Sequence, residues 1–137
     1  IMFAVNYVGV ILGAIAAMVL GMSWYSQMMF GKQWMKLSGL GKLTKKQMQE
    51  GKKKMIPSVI TGFIAAIVTA LVLAIFIGTG ATWLEGVSVA FYAWLGFIAP
   101  VMLGMVLWEC KPFQLYVINV TYQLVSIVIM GAIIGAL

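Results

Sequence analysis

The sequence predicts an all-α fold, a bundle of four transmembrane helices with a long basic cytoplasmic loop between the first two. Hydrophobic residues make up 64% of the 137 residues, charged residues make up 9%, and mean hydropathy is +1.08. A soluble domain carries about 25% charged residues. Four apolar stretches each exceed the ~20 residues that an α-helix needs to span a bilayer. Eight of the nine lysines lie together, between Lys32 and Lys54. We therefore expect residues 1–137 to form a single integral membrane domain.

The first apolar stretch, residues 3–29, predicts a retained helix and not a cleaved secretory signal. It lacks a basic n-region and is longer than the 7–15 apolar residues of a signal peptide. Small residues recur at every fourth position, so they form a stripe along one helix face where another helix can approach closely. This packing stripe consists of Gly9, Gly13, Ala17 and Gly21.

The connection of residues 30–54 is the basic loop. Thr44 and Gln47 match a capping box, which predicts a short helix from about Lys45 to Lys53. The segment before Thr44 alternates apolar residues with lysines. This pattern fits a segment lying in the headgroup region and fits a solvated basic linker equally well. The residues that we expect at anionic headgroups are Lys32, Trp34, Lys36, Lys42, Lys45, Lys46, Lys52, Lys53 and Lys54.

Lipid is the partner that these charges favour, at about 1 kcal/mol for each basic residue near an anionic surface. The formal net charge is +6, which in a soluble protein could indicate nucleic acid. Here the basic residues are confined to one loop without arginine, and Trp34 is the one aromatic residue among them. We therefore expect no nucleic-acid partner.

The second and third apolar stretches, residues 55–77 and 83–107, are joined by a short turn of small residues. Such a short connection makes the two helices antiparallel neighbours. Pro100 lies within the third stretch and cannot donate a hydrogen bond to the Gly96 carbonyl, which predicts a kink. The kink is either structural or a hinge for transport.

The fourth stretch, residues 113–137, carries a polar face. Gln123 would lie ~15 Å from the start of this helix, near the bilayer midplane. Polar side chains at that depth either bond to other helices or line a pore or substrate site. Gly131 and Gly135 repeat the small-residue spacing on the same helix. The polar face consists of Asn119, Tyr122, Gln123 and Ser126.

Basic residues concentrate in cytoplasmic loops, and this rule orients the whole chain. The basic loop is then cytoplasmic, and both termini lie outside. Lys111, which was not used to set the orientation, also falls on the cytoplasmic side. Aromatic residues at both ends of the helices predict interfacial belts. These are Trp24, Tyr25, Trp34 and Trp108 at the inner boundary and Trp83 at the outer one.

Side chains that could carry catalysis are sparse. Histidine is absent, and no paired carboxylates, phosphate-binding loop or metal-ligand cluster can be recognised. Cys110 is the single cysteine, so it cannot form a disulfide within the chain. The sequence therefore predicts no enzyme activity, no cofactor and no metal site.

Three short motifs resemble a known family. They are Val5-Asn6-Tyr7, Gly21-Met22-Ser23-Trp24-Tyr25 and Phe30-Gly31-Lys32-Gln33-Trp34-Met35. With the four-helix hydropathy and a polar fourth helix, they resemble the bacterial membrane proteins of domain-of-unknown-function family 1761. The resemblance implies a multi-pass protein of the bacterial inner membrane and almost nothing about activity. Ser26 departs from the proline expected after the Trp-Tyr pair.

The functional prediction is a structural or interaction protein that packs as a homo-oligomer or with a membrane partner. Two glycine-rich faces and the lack of a chemical site support it. The alternative is an oligomeric channel or small-molecule transporter that uses the polar face of the fourth helix. Lipid sensing by the basic loop is a third hypothesis.

Overall fold

The computed structural model describes residues 5–26, 28–38 and 44–137, and these residues form helices without any strand. Four of the helices are long and apolar enough to cross a membrane, which confirms the predicted all-helical fold with four helices of membrane-spanning length. The other two are short and lie in the basic connection. The helices are α1 Tyr7–Trp24, α2 Gly31–Ser38, α3 Lys45–Lys53, α4 Met55–Ile77, α5 Trp83–Leu107 and α6 Phe113–Ala136.

The predicted bounds hold for α4 and closely for α6, but α1 is shorter than the predicted residues 3–29. It begins at Tyr7 because the Asn6 side chain caps it, accepting a hydrogen bond from the Gly9 N–H at 3.1 Å. It ends at Trp24, where the chain turns. Residues 1–4 lie outside the described part of the chain.

The segment predicted as a basic loop contains two helices. The predicted capping box of α3 is confirmed. Thr44 Oγ1 accepts from the Gln47 N–H at 3.2 Å, and Gln47 Oε1 accepts from the Thr44 N–H at 3.0 Å. Upstream, α2 lies against α6, so it is not a solvated linker. Lys42 falls outside the described residues.

The third spanning helix, α5, is irregular around Pro100. It is α-helical over Trp83–Ala93, makes a π turn over Trp94–Ile98, and resumes as two short α-helical pieces, Ala99–Met102 and Gly104–Leu107. Proline lacks an N–H and its ring pushes away the carbonyl four residues earlier. The chain accommodates it by widening the preceding turn, where the Ala99 N–H bonds to the Trp94 carbonyl, five residues back.

The four spanning helices alternate in direction and pack around α6, which contacts α1, α4 and α5. We call the two ends of the bundle the basic end and the turn end. At the basic end, α1 ends, α4 begins and residues 108–112 join α5 to α6. At the turn end, α1 begins and residues 78–82 join α4 to α5. The core contains Val10, Ala17, Ala70, Leu73, Ala74, Ala90, Ile127, Met130 and Ile134.

Both small-residue stripes lie against helices of the same chain. A Cβ atom built on Gly9 would lie 3.1 Å from the Ile134 Cα, and one on Gly13 would lie 3.5 Å from the Met130 Cα. At the turn end, these small residues therefore pack against a helix of the same chain, and they are not free there to pack against a second copy.

The second stripe packs even more closely. A Cβ atom on Gly131 would overlap the Gly86 carbonyl oxygen, and one on Gly135 would overlap the Thr82 carbonyl oxygen. These contacts are backbone against backbone, between α6 and α5. Neither glycine of α6 is left on a free surface, because both are buried.

Helix α4 leaves the bundle at the basic end. Its buried residues, Ala70, Leu73 and Ala74, all lie in its second half. Residues 55–61 are exposed on every side. The separation of α4 from α1 leaves an open space between the two helices, beside α2 and α3.

Candidate functional site

The chain reverses sharply after α1, in a turn built from backbone hydrogen bonds. The Phe30 N–H bonds to the Trp24 carbonyl at 3.0 Å, and the Gly31 N–H bonds to the Ser26 carbonyl at 2.8 Å. A Cβ atom at position 31 would overlap the Tyr25 carbonyl oxygen. Glycine is therefore required at this position, and the turn forms with serine at position 26.

The turn brings the aromatic residues of the family-like motifs together with α6. The Trp24 and Phe30 rings lie 4.7 Å apart, and the Tyr25 ring packs edge-on against Trp34 at 5.6 Å and Tyr122 at 5.3 Å. Centroid distances of 4.5–7 Å are those of stabilising aromatic pairs. We call these five residues, Trp24, Tyr25, Phe30, Trp34 and Tyr122, the aromatic cluster.

Two tyrosine hydroxyls of the cluster tie α1 to α6. The Tyr25 hydroxyl donates to Asn119 Oδ1 at 2.7 Å, and the Tyr122 hydroxyl donates to the Ala17 carbonyl at 3.1 Å. Burial, and then the neighbouring Tyr122, raise the pKa of Tyr25 to about 12. The Tyr25 phenol therefore keeps its proton at neutral pH and remains a donor.

The structure divides the predicted polar face of α6. Asn119 and Tyr122 bond to the Tyr25 side chain and α1, and the buried Ser126 interacts with the Tyr122 hydroxyl. The half-buried Gln123 carboxamide makes no hydrogen bond to any other described residue. At 100° per residue, Gln123 falls between the face of α6 that meets α1 and the face that meets α5.

A cleft of about 740 Å³ opens at the basic end beside the aromatic cluster. Small-molecule sites occupy about 300–1,000 Å³, so the cleft has the size of a binding site. Five helices contribute to it. Its lining residues are Met18, Gly21, Met22, Tyr25, Trp34, Met35, Gln47, Gly51, Lys52, Met55, Ser58, Val59 and Tyr122.

Only some of the tryptophans predicted for the inner and outer aromatic belts are exposed as interfacial residues would be. Trp108 is 82% exposed and Trp83 is 57% exposed, as belt residues would be. Trp24 is 9% exposed and faces protein instead of lipid. Its indole Nε1 is buried and has no hydrogen-bond partner among the described residues. Sequence position alone could not distinguish a lipid-facing tryptophan from one that a turn folds inward.

The described lysines lie at one end of the bundle. Lys111 is in the turn between α5 and α6, which lies at the same end as α2 and α3. Every described lysine is exposed, and Lys52 lines the cleft. The exposed lysines are Lys32, Lys36, Lys45, Lys46, Lys52, Lys53, Lys54 and Lys111.

The remaining side chains that could react or bind a metal do not cluster. Cys110 is exposed, within the same turn as Lys111. In the part of the chain that the structure describes, no three side chains of the metal-ligand types His, Cys, Asp and Glu come together.

Three residues that position the bundle were missed in the sequence. Asn6 caps α1 and Thr82 caps α5, where its hydroxyl accepts from the Glu85 N–H at 3.2 Å. A polar residue directly before an apolar run was the available signal for both caps. Gly86 meets Gly131 at the closest approach of α5 and α6. A single glycine in one helix gives no pattern to find.

A family model for proteins of unknown function, DUF1761, matches residues 8–135, which is nearly the whole chain. The chain belongs to the DUF1761 family. The expected resemblance is thereby confirmed. Neither the comparison with curated proteins nor the comparison with solved structures finds a match. Membership of DUF1761 gives the protein a family without an activity, so its function must be argued from the arrangement of its own residues.

Proposed function

We propose that this DUF1761 protein is a non-enzymatic interaction protein of the bacterial inner membrane, held against the cytoplasmic leaflet through anionic lipid. The observation that carries the proposal is the arrangement at the basic end. Helices α2 and α3 both lie there, and all their described lysines are exposed. A basic segment beside apolar spans is the usual signature of contact with anionic headgroups.

The packing of α2 supports this arrangement. Trp34 contacts the Tyr25 ring, and Leu37 is half-buried, whereas Lys32 and Lys36 on the other side are exposed. An amphipathic helix that is fixed to protein on its apolar side holds its charges at a constant height. The lysines of α2 would therefore meet the headgroup layer without first being ordered by it.

The lipid preference of the protein tests this proposal. We expect spin-labelled phosphatidylglycerol to associate with the reconstituted protein in preference to phosphatidylcholine. A variant carrying Lys32→Gln, Lys36→Gln, Lys45→Gln and Lys46→Gln should show a clearly smaller preference, since each charge contributes about 1 kcal/mol near the surface. The matched control replaces the same four lysines with arginine and keeps the charge. An unchanged preference in the glutamine variant would contradict the proposal.

The proposed topology has the basic end in the cytoplasm and both termini outside. The placement of Lys111 at the same end as α2 and α3 supports it, because all the described lysines then follow the positive-inside rule. A reporter that is active only outside the cytoplasm should give a signal when it is fused after Leu137, and a reporter that is active only in the cytoplasm should not. A cytoplasmic signal from that fusion would overturn the orientation.

A homo-oligomer or a membrane-protein partner belongs to the same proposal, but the glycine stripes no longer support it. The oligomeric state can be measured by mass photometry in nanodiscs across a range of protein concentrations. A monomer throughout would remove the homo-oligomer and leave lipid contact standing.

A channel or small-molecule transporter is the second candidate, and Gln123 is the observation that favours it. Its carboxamide is half-buried near the middle of α6 and makes no hydrogen bond to another described residue, as a group that meets a solute could be. Asn119 and Tyr122, in contrast, are engaged with Tyr25 and α1. Solute flux into proteoliposomes that Gln123→Leu abolishes would establish this candidate over the first.

A further inference from the structure

The cleft at the basic end has two chemically different sides. Its deep side is formed by Gly21, Tyr25 and Tyr122, and both tyrosine hydroxyls already donate elsewhere, to Asn119 and to the Ala17 carbonyl. The deep side therefore offers aromatic and apolar surface but no free phenolic donor. An apolar ligand group fits this side, whereas a ligand group that needs a hydrogen-bond donor would find no free phenolic hydrogen there.

Methionines line the walls of the cleft. Met18 and Met22 come from α1, and Met55 comes from α4. Thioether side chains are unbranched and adapt to irregular shapes. Walls of this kind suit a flexible hydrocarbon chain better than a rigid ring system, because neither the chain nor the wall has one fixed outline.

Polar groups are confined to the side formed by α3 and the start of α4. Lys52 contributes an ammonium group, Gln47 a carboxamide and Ser58 a hydroxyl. The Gln47 Oε1 atom accepts from the Thr44 N–H in the capping box, which leaves its amide nitrogen as a donor. An ammonium group and an amide N–H at the mouth of an apolar cleft are complementary to an anionic headgroup.

We propose that this cleft binds one anionic phospholipid, with an acyl chain between α1 and α4 and its phosphate at Lys52. The inference rests on the proposed lipid contact and deepens it, from a charged surface to a single defined site. The separation of α4 from the bundle supports it, since residues 55–61 are exposed on all sides, and Met55, Ser58 and Val59 of this segment line the cleft. A lipid tail can enter there sideways from the leaflet.

Fluorescence quenching by brominated lipid tests the site. Trp34 lines the cleft, and its emission is isolated as the difference between the protein and its Trp34→Phe variant. The experiment uses vesicles of phosphatidylcholine with increasing fractions of phosphatidylglycerol brominated on its acyl chains. We expect saturable quenching of Trp34 at a small fraction of brominated phosphatidylglycerol. Quenching that rises in proportion to the fraction of brominated phosphatidylglycerol, without saturating, would overturn the proposal.

Substitutions in the cleft test its contacts with the acyl chain and with the headgroup separately. Ser58→Phe fills the cleft and should abolish saturable quenching, whereas Ile60→Phe adds the same ring on an exposed position of α4 outside the cleft and should leave it unchanged. Lys52→Gln should raise the half-saturating fraction about five-fold, the size of one ammonium–headgroup attraction. Equal behaviour of the two phenylalanine variants would contradict a lipid in the cleft.

The outcomes also separate this site from the general lipid preference. The proposed function would fail if the four-lysine glutamine variant kept its preference for phosphatidylglycerol among bulk lipids. The cleft would fail if that preference existed but Trp34 quenching did not saturate. Displacement by glycerol phosphate as efficient as displacement by intact lipid would place the ligand at the lysines alone, and that result would contradict the proposal.

Discussion

Different interactions hold the helices together in the two halves of the bundle. At the turn end, glycines bring backbones into contact, as Gly86 does with Gly131. At the basic end, hydrogen bonds from large side chains join the helices, as Tyr25 does with Asn119. Lipid offers no hydrophobic drive for helix association, so close packing and hydrogen bonds are the two means available.

The difference has a structural consequence. Close backbone contact excludes space, and the turn end holds the fully buried residues Ala14, Ala70 and Ala90. Bulky, hydrogen-bonded side chains keep helices further apart, and the 740 Å³ cleft lies among them. The turn end therefore fixes the bundle, and the basic end is where a ligand can be received.

The largest expected effect comes from Gly131→Leu at the turn end. The new side chain would overlap the Gly86 carbonyl oxygen, and a backbone atom cannot move aside. We expect the free energy of unfolding to fall by about 3 kcal/mol or more, at the upper end for overpacked positions. Reversible unfolding in mixed lipid–detergent micelles measures it.

Gly62→Leu is the matched control at the basic half, since a Cβ atom there meets only Met18 Cε, at 3.9 Å. Its free energy of unfolding should change by less than about 1 kcal/mol. Equal losses of stability in the Gly131→Leu and Gly62→Leu variants would contradict the proposed difference in packing between the two halves.

Asn119→Leu should have the next largest effect. It leaves the half-buried Tyr25 hydroxyl without the acceptor that it reaches at 2.7 Å, and an unpaired donor costs about 1 kcal/mol, at the lower end for buried groups. The same unfolding measurement applies. Adding Tyr25→Phe removes the unpaired donor, so the double variant should recover much of the loss. If Asn119→Leu alone costs nothing, hydrogen bonding does not hold the basic end.

Gln123→Leu should act in the opposite direction. Its carboxamide makes no hydrogen bond to a described residue, so an apolar replacement of similar size should raise the free energy of unfolding by about 1 kcal/mol. Gln114→Leu, at an exposed position of the same helix, serves as the control and should change little. A loss of stability in Gln123→Leu that appears only at high protein concentration would indicate a partner in a second copy.

The smallest effect concerns the turns at the two ends. Gly78 and Gly80 hold the positive φ values at the turn end, 77° and 79°, whereas Cys110 holds φ 56° at the basic end. The left-handed region costs a non-glycine residue about 1–2 kcal/mol, partly offset by the greater flexibility of unfolded glycine. Cys110→Gly should therefore stabilise by about 0.5 kcal/mol in the same assay. Gly78→Ala should lower the free energy of unfolding. A loss of stability in Cys110→Gly or a gain in Gly78→Ala would contradict the assignment of backbone strain.

The sequence predicted those parts of the fold that depend on nearby residues. The span of α4 follows from an uninterrupted apolar run, and the capping box of α3 requires only Thr44 and Gln47. The end of α1 was missed because a folded turn stops it, within sequence that is still apolar. That turn depends on Gly31 contacting the carbonyls of Tyr25 and Ser26.

The candidate site was only half predictable for a related reason. The polar face of α6 could be found from spacing, and two of its four members, Asn119 and Tyr122, bond to Tyr25 or to α1, while Ser126 interacts with Tyr122. Their partners could not be predicted, because Tyr25 is 94 positions away from Asn119. The cleft depends on the direction that α4 takes, which no local pattern specifies.

The π turn in α5 has a consequence for the alignment of related sequences. Gly86, Ala90, Trp94 and Ala99 of α5 all contact α6. The Trp94 indole donates a hydrogen bond to the Val120 carbonyl, and the Ala99 carbonyl accepts one from the Tyr116 hydroxyl. The spacing of these four α5 residues is four, four and then five, so the wide turn acts as a single inserted residue that keeps one side of the helix toward its neighbour. A relative with a regular helix here should be one residue shorter between the positions of Trp94 and Ala99. The number of residues in this segment would then indicate whether a relative has the π turn, even where the side chains differ.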